Sequence, residues 1–345
     1  MSRFRDEIGE QPLLASRMLA DSRGAVAAIA ARIRQSSAHG LVIAARGSSD
    51  HAALYAKYLF GVRNHMMVSL AAPSLFTSYG SHPNLEGQCV IGISQSGSSP
   101  DVVAVIEEAA RQGLVTVAVT NDPESRLAQA AELHLPLAAG LERSVPASKT
   151  YIASLLALAL VSQALDPDPS FEAALGQVPP ALAAALEQEE ELDRLVPALL
   201  GPRAIVLGRG FNFSTAEEIA LKLTETSYVL ARAWSVADFE HGPIAVVEPG
   251  FPVLLVDGRG LVSAEMEAIG LRLAGHGCRV IRLVDGTGEH DQPNEATVSL
   301  DSGLPEELTP LTLAVLGQLL AHRVALARGI DPDRPRALNK VTRTW

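Results

Sequence analysis

Between Ile93 and Asp101 the sequence reads ISQSGSSPD, four serines and a glutamine packed around one glycine. The preceding run CVIGI, from Cys89 to Ile93, has the length and β-branched character of a buried strand. The following residues have the marks of a helix start, with Ser98 or Ser99 as N-cap, Pro100 at the first helical position and Asp101 in the first turn. A strand end, a tight turn at Gly97 and a helix N-terminus gather backbone N–H groups and hydroxyls around one small volume. Such a volume suits an anion, phosphate above all. The same residues also describe a well-capped helix with spare serines, and the stretch lacks the lysine of the GxxxxGK[ST] nucleotide loop.

A second set shares one helix. Glu218, Lys222 and Glu225 stand at i, i+4 and i+7, so their side chains line one stripe. A carboxylate placed beside a weakly acidic C–H group can take its proton, and a nearby cation can hold the charge that develops. Read plainly, Glu218 and Lys222 are a surface ion pair and Glu225 is a solvated acid. His241, in FEHGP, is of the residue type that most often passes protons at neutral pH, or else is a turn histidine satisfied by its own backbone. Lys340 lies in a C-terminal tail rich in Arg and Pro, where a solvated lysine is the plain alternative. Arg46 and Arg209 each precede a glycine at a strand end; they would favour an anion there or pair with a carboxylate.

The elements that position these residues alternate. LVIAA (41–45), a helix from Ser49 to about Phe60, HMMVSL, CVIGI, the helix after Pro100, LVTVAVT and ELHLPL give the rhythm of a parallel sheet covered by helices. A long helix from Ser148 to Leu165 ends at DPDPS. An Ala/Glu-rich connector follows, whose EQEEELD run reads as a solvated helix face. The rhythm restarts at AIVLGRG (204–210), followed by a helix through about Tyr228, FPVLLVD, a helix near 263–274, CRVIRLV, ATVSL and the helix LTPLTLAVLGQLLAHRVALA. VIAARGSSDHAALYAKYLF and IVLGRGFNFSTAEEIALKL repeat strand, Arg-Gly, turn and helix, which predicts a duplicated domain. The expected class is α/β, with two doubly wound, flavodoxin-like parallel sheets in tandem and ligands at the carboxyl ends of strands.

Composition agrees with packed domains. The chain has 345 residues, enough for two domains, and 48% of them are apolar. A net charge of −11 with no Lys/Arg cluster argues against nucleic acid or a polybasic membrane surface as partner. Cys89 and Cys278 fall in predicted strands and read as small buried hydrophobes of a reduced, cytoplasmic protein. The start MSRFRDEIGEQP lacks the apolar core of a signal peptide. YIASLLALALVSQAL, taken as the most apolar helix, falls short of the roughly 20 residues a bilayer requires.

Six pieces in order resemble the double sugar isomerase (SIS) domain family: RGSSDHAALYAKYLF, SQSGSSPD, ERSVPASKTY, EIALKLTETSY, FEHGP and DRPRALNKVT. The chain is similar to the isomerase half of glucosamine-6-phosphate synthase and, more closely, to stand-alone glucosamine-6-phosphate deaminases. The resemblance implies a sugar 6-phosphate held by Ser94, Gln95, Ser96 and Ser99, joined by Gly47, Ser48 and Ser49. It makes Glu225 the base that moves a proton between C1 and C2, His241 the ring opener and Lys340 the contact to the reacting carbonyl end. Lys222 and Glu218 fall on positions the family uses around the site, and Val145 and Lys149 match its VAxxK-like element, from which Arg143 and Pro146 depart. The implied domains are an N-terminal helical segment (1–30), a first SIS domain that binds the sugar phosphate (31–166), a helical connector (167–200), a second SIS domain (201–330) and a tail closing the active site (331–345).

Deamination of glucosamine 6-phosphate to fructose 6-phosphate and ammonia, with no cofactor and no metal, is the implied reaction. The synthase takes ammonia from a glutaminase domain with an N-terminal catalytic cysteine, whereas this chain opens MSRF and has no cysteine before Cys89, so the deaminating direction is expected. A deglycase or isomerase of another amino-sugar or ketosamine phosphate is the alternative, for which Arg143 and Pro146 leave room. A non-catalytic sugar-phosphate sensor is the other, but a sensor needs the serine turn and not Glu225, His241 and Lys340. The resemblance also implies a homodimer with shared sites, in which His241 reaches across a two-fold interface into the partner's pocket.

Overall fold

The structure, a computed structural model, describes residues 2–286, 296–338 and 340. It contains two compact units. The first comprises Leu13–Glu142 and Lys149–Gly176 with Lys340; the second comprises the described residues of Met1–Pro12, Arg143–Ser148 and Gln177–Leu338.

In the first unit, strands β1 (Gly40–Ala44), β2 (Met67–Leu70), β3 (Gln88–Ile93), β4 (Thr116–Thr120) and β5 (Leu133–Pro136) form a sheet in the order β2-β1-β3-β4-β5. Every pairing is parallel, with Gly40 opposite both Met67 and Gln88. β1 and β4 are buried along their whole length, as continuous apolar strands covered on both faces must be. One face packs Val42, Ala44 and Val90 against Val102, Val103 and Ile106 of the helix Pro100–Arg111. Each such side chain contributes about 1.5–3 kcal/mol on leaving water.

The second unit repeats this plan. Strands β6 (Arg203–Gly208), β7 (Leu230–Ser235), β8 (Pro252–Asp257), β9 (Arg279–Asp285) and β10 (Ala296–Leu300) run in the order β7-β6-β8-β9-β10, all parallel. Renumbered within each sheet, both orders are 2-1-3-4-5, the doubly wound arrangement whose crevice opens between the first and third strands. The duplication read from the two Arg-Gly segments is therefore a duplication of topology.

Four details differ from the sequence reading. β7 lies where no strand was expected, because Arg232 interrupts the apolar run LARAWS of a sheet edge. EHGP consequently follows this strand and a short helix, Val236–Glu240, rather than the Glu225 helix directly. The connector helix, Val178–Glu187, stops before most of the acidic run, which lies in turns and a 3-10 segment, Glu191–Arg194. Cys278 is buried just ahead of β9, whereas Cys89 lies within β3, its thiol pushed up to about 12 chiefly by burial.

The segment Glu306–Ala327 has the length and apolarity to cross a bilayer, although the sequence reading singled out the helix now seen at Lys149–Leu165. Of its apolar window 83% is buried inside the structure. A helix apolar on all sides is also what a core requires, and here its main neighbour is the helix Asn212–Ser227. A Cβ at Gly317 would collide with Ile219, so the glycine lets the two helices approach.

Candidate functional site

In the first unit, β1 leads into Arg46 and Gly47, and Gly47 (φ +55°) turns the chain into the helix Ser48–Asn64. Ser48 and Ser49 stand half-buried at its start. Burial raises the carboxyl of Asp50 in the first turn, against the pull of His51 and Arg46.

β3 leads into the serine turn. Ser94 is buried, with its Oγ 3.4 Å from Ser99 Oγ; Gln95, Ser96 and Ser99 are half-buried. Ser96 Oγ accepts from the Ser98 N–H at 3.3 Å. Ser99 is the N-cap of the helix Pro100–Arg111, yet its side chain makes no capping bond. The capped-helix alternative therefore leaves this hydroxyl unexplained. The turn is fixed from behind: Gln95 O accepts from Asn121 N at 3.1 Å and Thr120 Oγ1 at 3.2 Å, and Gly97 O accepts from Leu127 N at 3.1 Å. Gly97 has φ +60°, and a Cβ there would collide with the Ser125 side chain.

Arg46 gives Nε to Asp101 Oδ2 at 2.6 Å, and in the second unit Arg209 gives Nε to Glu265 Oε2 at 2.7 Å. Both arginines are paired with carboxylates, the structural alternative of the sequence reading.

In the second unit, the helix Asn212–Ser227 carries the predicted stripe. Lys222 Nζ lies 2.6 Å from Glu225 Oε2 and 3.5 Å from Glu218 Oε1. The side chains of Lys222 and Glu218 are each 1% exposed and that of Glu225 is 22% exposed. The surface-pair reading of Glu218 and Lys222 is thus overturned. A lysine ammonium taken out of water needs compensating charge, and the two acids supply it. Only Glu225 of the three reaches the surface. His241 is exposed, and its N–H caps the short helix before it by donating to Asp238 O at 3.2 Å.

The segment 142–150 is held by two buried carboxylates. Within the first unit, Glu142 accepts from Thr150 N at 3.1 Å, from Thr150 Oγ1 at 2.8 Å and from Lys340 Nζ at 2.7 Å. Lys340 is therefore tied to a fully buried acid and is not a solvated tail lysine. Lys149 is buried and donates to Leu141 O at 2.9 Å. Within the second unit, Glu7 accepts from Arg143 N at 2.5 Å and Ser144 N at 3.2 Å, which fixes the backbone that carries half-buried Val145. Sequence reading missed Glu7 and Glu142 as anchors, because their partners lie up to 198 residues away and leave no local spacing. Asn339, Val341 and Thr342 of the tail motif lie outside the described residues. Among the described residues no three His, Cys, Asp or Glu side chains gather to hold a metal ion.

The SIS domain model matches residues 36–163 and 201–322, one match in each half, and the chain belongs to the SIS domain family. It is 31% identical to a glutamine–fructose-6-phosphate aminotransferase (isomerizing) of Bradyrhizobium diazoefficiens over 97% of its own length, and spans 57% of that protein. The structure of a proposed phosphosugar isomerase from Silicibacter pomeroyi is similar at a TM-score of 0.87 and 33% identity, covering 96% of this chain and all of that one. A glucosamine-6-phosphate deaminase from Thermotoga maritima shares the fold at a TM-score of 0.71 and 21% identity, covering 96% of this chain and all of that one.

Proposed function

We propose that the chain is an isomerising glucosamine-6-phosphate deaminase. The observation that carries this reading is the buried Glu218–Lys222–Glu225 cluster with Glu225 alone at the surface, since a solvated helix face would not take a lysine out of water. The hydroxyl turn Ser94–Ser99 and the Gly47–Ser49 helix start are assigned the 6-phosphate. Similarity to the aminotransferase and isomerase relatives supports the substrate class.

The reaction then needs no group beyond the chain and water. His241 passes a proton that opens the pyranose ring. Glu225 takes the C2 proton of the open 2-amino aldehyde, leaving an enolamine, and the Lys222 ammonium behind Glu225 favours the charged form of that base. Return of the proton to C1 gives the C2 imine, and water replaces its nitrogen, releasing ammonia and fructose 6-phosphate. Lys340 is assigned to the carbonyl end. This assignment requires the lysine to leave Glu142 or to act beside it.

The exposure of His241 fits a role in the pocket of a second copy of the chain. Mixing Glu225→Gln with His241→Ala chains under subunit exchange should restore about a quarter of the sites if His241 acts in trans, and none if it acts only within its own chain. Arg143 and Pro146, in the segment that Glu7 fixes, favour as second reading the same steps on another amino-sugar phosphate. Ammonia release from a panel of amino-sugar 6-phosphates tests both. Release from glucosamine 6-phosphate supports the first, release from a different member alone supports the second, and release from none refutes the deaminase.

A further inference from the structure

The first helix of the chain, Arg3–Gly9, packs within the second unit with Phe4 and Ile8 fully buried. Asp333 accepts from the N–H groups of Arg3 at 2.7 Å and Phe4 at 2.9 Å, and Arg5 Nε donates to Glu189 Oε2 at 2.7 Å. A carboxylate on the free N–H groups of a helix start, together with an ion pair one turn on, fixes how this helix lies. On its buried side it carries an acid. Glu7 is 5% exposed, and what it grips is the segment 143–148: Oε1 accepts from Arg143 N at 2.5 Å, and Oε2 from Ser144 N at 3.2 Å and from the Ser144 hydroxyl.

The far end of that segment is held from the same part of the chain. Gln11 Nε2 donates to Gln318 Oε1 at 2.7 Å, and Gln318 Nε2 donates to Ser148 O at 3.3 Å, both glutamines being buried. Residues 7 and 11 thus hold the two ends of a stretch that belongs to no helix or strand. Between those ends burial alternates. Ser144 and Pro146 are buried, whereas Arg143 is exposed and Val145 and Ala147 are half-buried. Ser144 Oγ also lies 2.9 Å from Pro146 O, so the grip on the buried row decides how the outer row is presented. A carboxylate kept from water needs donors of good geometry, and Arg143 and Ser144 supply three of them.

We propose that Glu7 is a positioning residue: through Ser144 it sets how Arg143, Val145 and Ala147 meet the sugar, and so selects among sugar phosphates without acting on the phosphate group. This role rests on the sugar-phosphate reading above, in which the serine turn of the first unit holds the phosphate, and does not require ammonia to be the product.

The test compares the dissociation constants of fructose 6-phosphate and of inorganic phosphate, measured by calorimetry on the full chain with and without Glu7→Gln. Glutamine keeps the size but offers one acceptor oxygen and sets an NH2 group against the donors at the other position, so the segment loses part of its grip. Glu7→Gln should weaken fructose 6-phosphate about tenfold or more and leave inorganic phosphate within about twofold of the parent. Equal weakening of both ligands, or of neither, would overturn the role and leave Glu7 a brace of the fold. If Glu7→Gln does not fold, Ser144→Ala, which removes the hydroxyl bond and keeps both backbone bonds, should show the same split at about threefold. Parent-like binding by Ser144→Ala, or equal weakening of both ligands, would then overturn it. Ammonia release is read separately. A parent that binds fructose 6-phosphate but releases no ammonia refutes the deaminase and leaves the split to decide on Glu7, whereas a parent that binds fructose 6-phosphate no better than inorganic phosphate overturns the role of Glu7.

Discussion

After β1 and β6 the chain turns through Arg-Gly, and in both units the arginine reaches an acid in the first turn of the helix that follows the third strand of the sheet. Arg46 pairs with Asp101 and Arg209 with Glu265. This tie across the crevice is common to the two units and belongs to the architecture. The floor of the crevice differs. In the first unit it offers Ser94, Ser96 and Ser99; in the second it holds Glu306, Asn212 and Thr309. A duplicated fold has thus diverged at the place where open parallel sheets bind ligands, with one copy presenting hydroxyls and the other a carboxylate bonded to the loop after β8. Asn212 and Thr309, bonded at 2.8 Å, stand at the start of the helix that carries Glu218, Lys222 and Glu225.

The largest effect is expected at Glu218, Lys222 and Glu225. Lys222→Met removes the cation between two carboxylates of which Glu218 is buried, and unfolding by denaturant should show a loss of about 3–5 kcal/mol. A loss below about 1 kcal/mol would return the pair to surface behaviour.

If the first crevice holds the 6-phosphate as proposed, Ser96→Ala or Ser99→Ala removes a hydroxyl donor to a dianion at about 1.5–3 kcal/mol, so KM should rise about tenfold or more with kcat nearly kept. Arg46→Met should instead lower stability and move KM less, because Arg46 is tied to Asp101. A larger KM effect from Arg46 than from the serines would reverse the assignment of the anion site.

Glycine positions give the smallest differences. Gly258→Ala puts a methyl into the Asn212–Thr309 pair and should cost about 1–3 kcal/mol. Gly47→Ala meets open space, and only its backbone (φ +55°, ψ −133°), outside the regions L residues favour, resists, at about 1–3 kcal/mol. A Gly258→Ala variant that melts with the parent would mean that Asn212 and Thr309 leave more room than their contacts with Gly258 show.

Much of this was legible where the signal is local. Strand, turn and helix follow one another within each repeat, so apolar runs and turn residues announced nine of the ten described strands. β7 escaped because its inward residues are few, with Ala233 and Ser235 buried along a strand that carries Arg232. The serine turn and the 218–225 stripe were visible as spacing. The burial of Glu218 and Lys222 was not, since it depends on packing between segments distant in sequence, as where the helix Thr309–Ala327 meets Ile219 at Gly317. The bonds of Glu306 to Leu261 and of Glu142 to Lys340 gave no signal for the same reason: each joins segments far apart in sequence.

Glu225 is proposed to move the proton of a sugar whose phosphate is held elsewhere. Steady-state kinetics of Glu225→Gln on glucosamine 6-phosphate, with ammonia as the readout, test it most directly. The substitution keeps size and removes the proton acceptor, so kcat should fall by about 10²-fold or more while affinity for the sugar phosphate, measured by direct binding, stays near that of the parent. Turnover within a few-fold of the parent would show that Glu225 is only the outer member of a buried ion cluster.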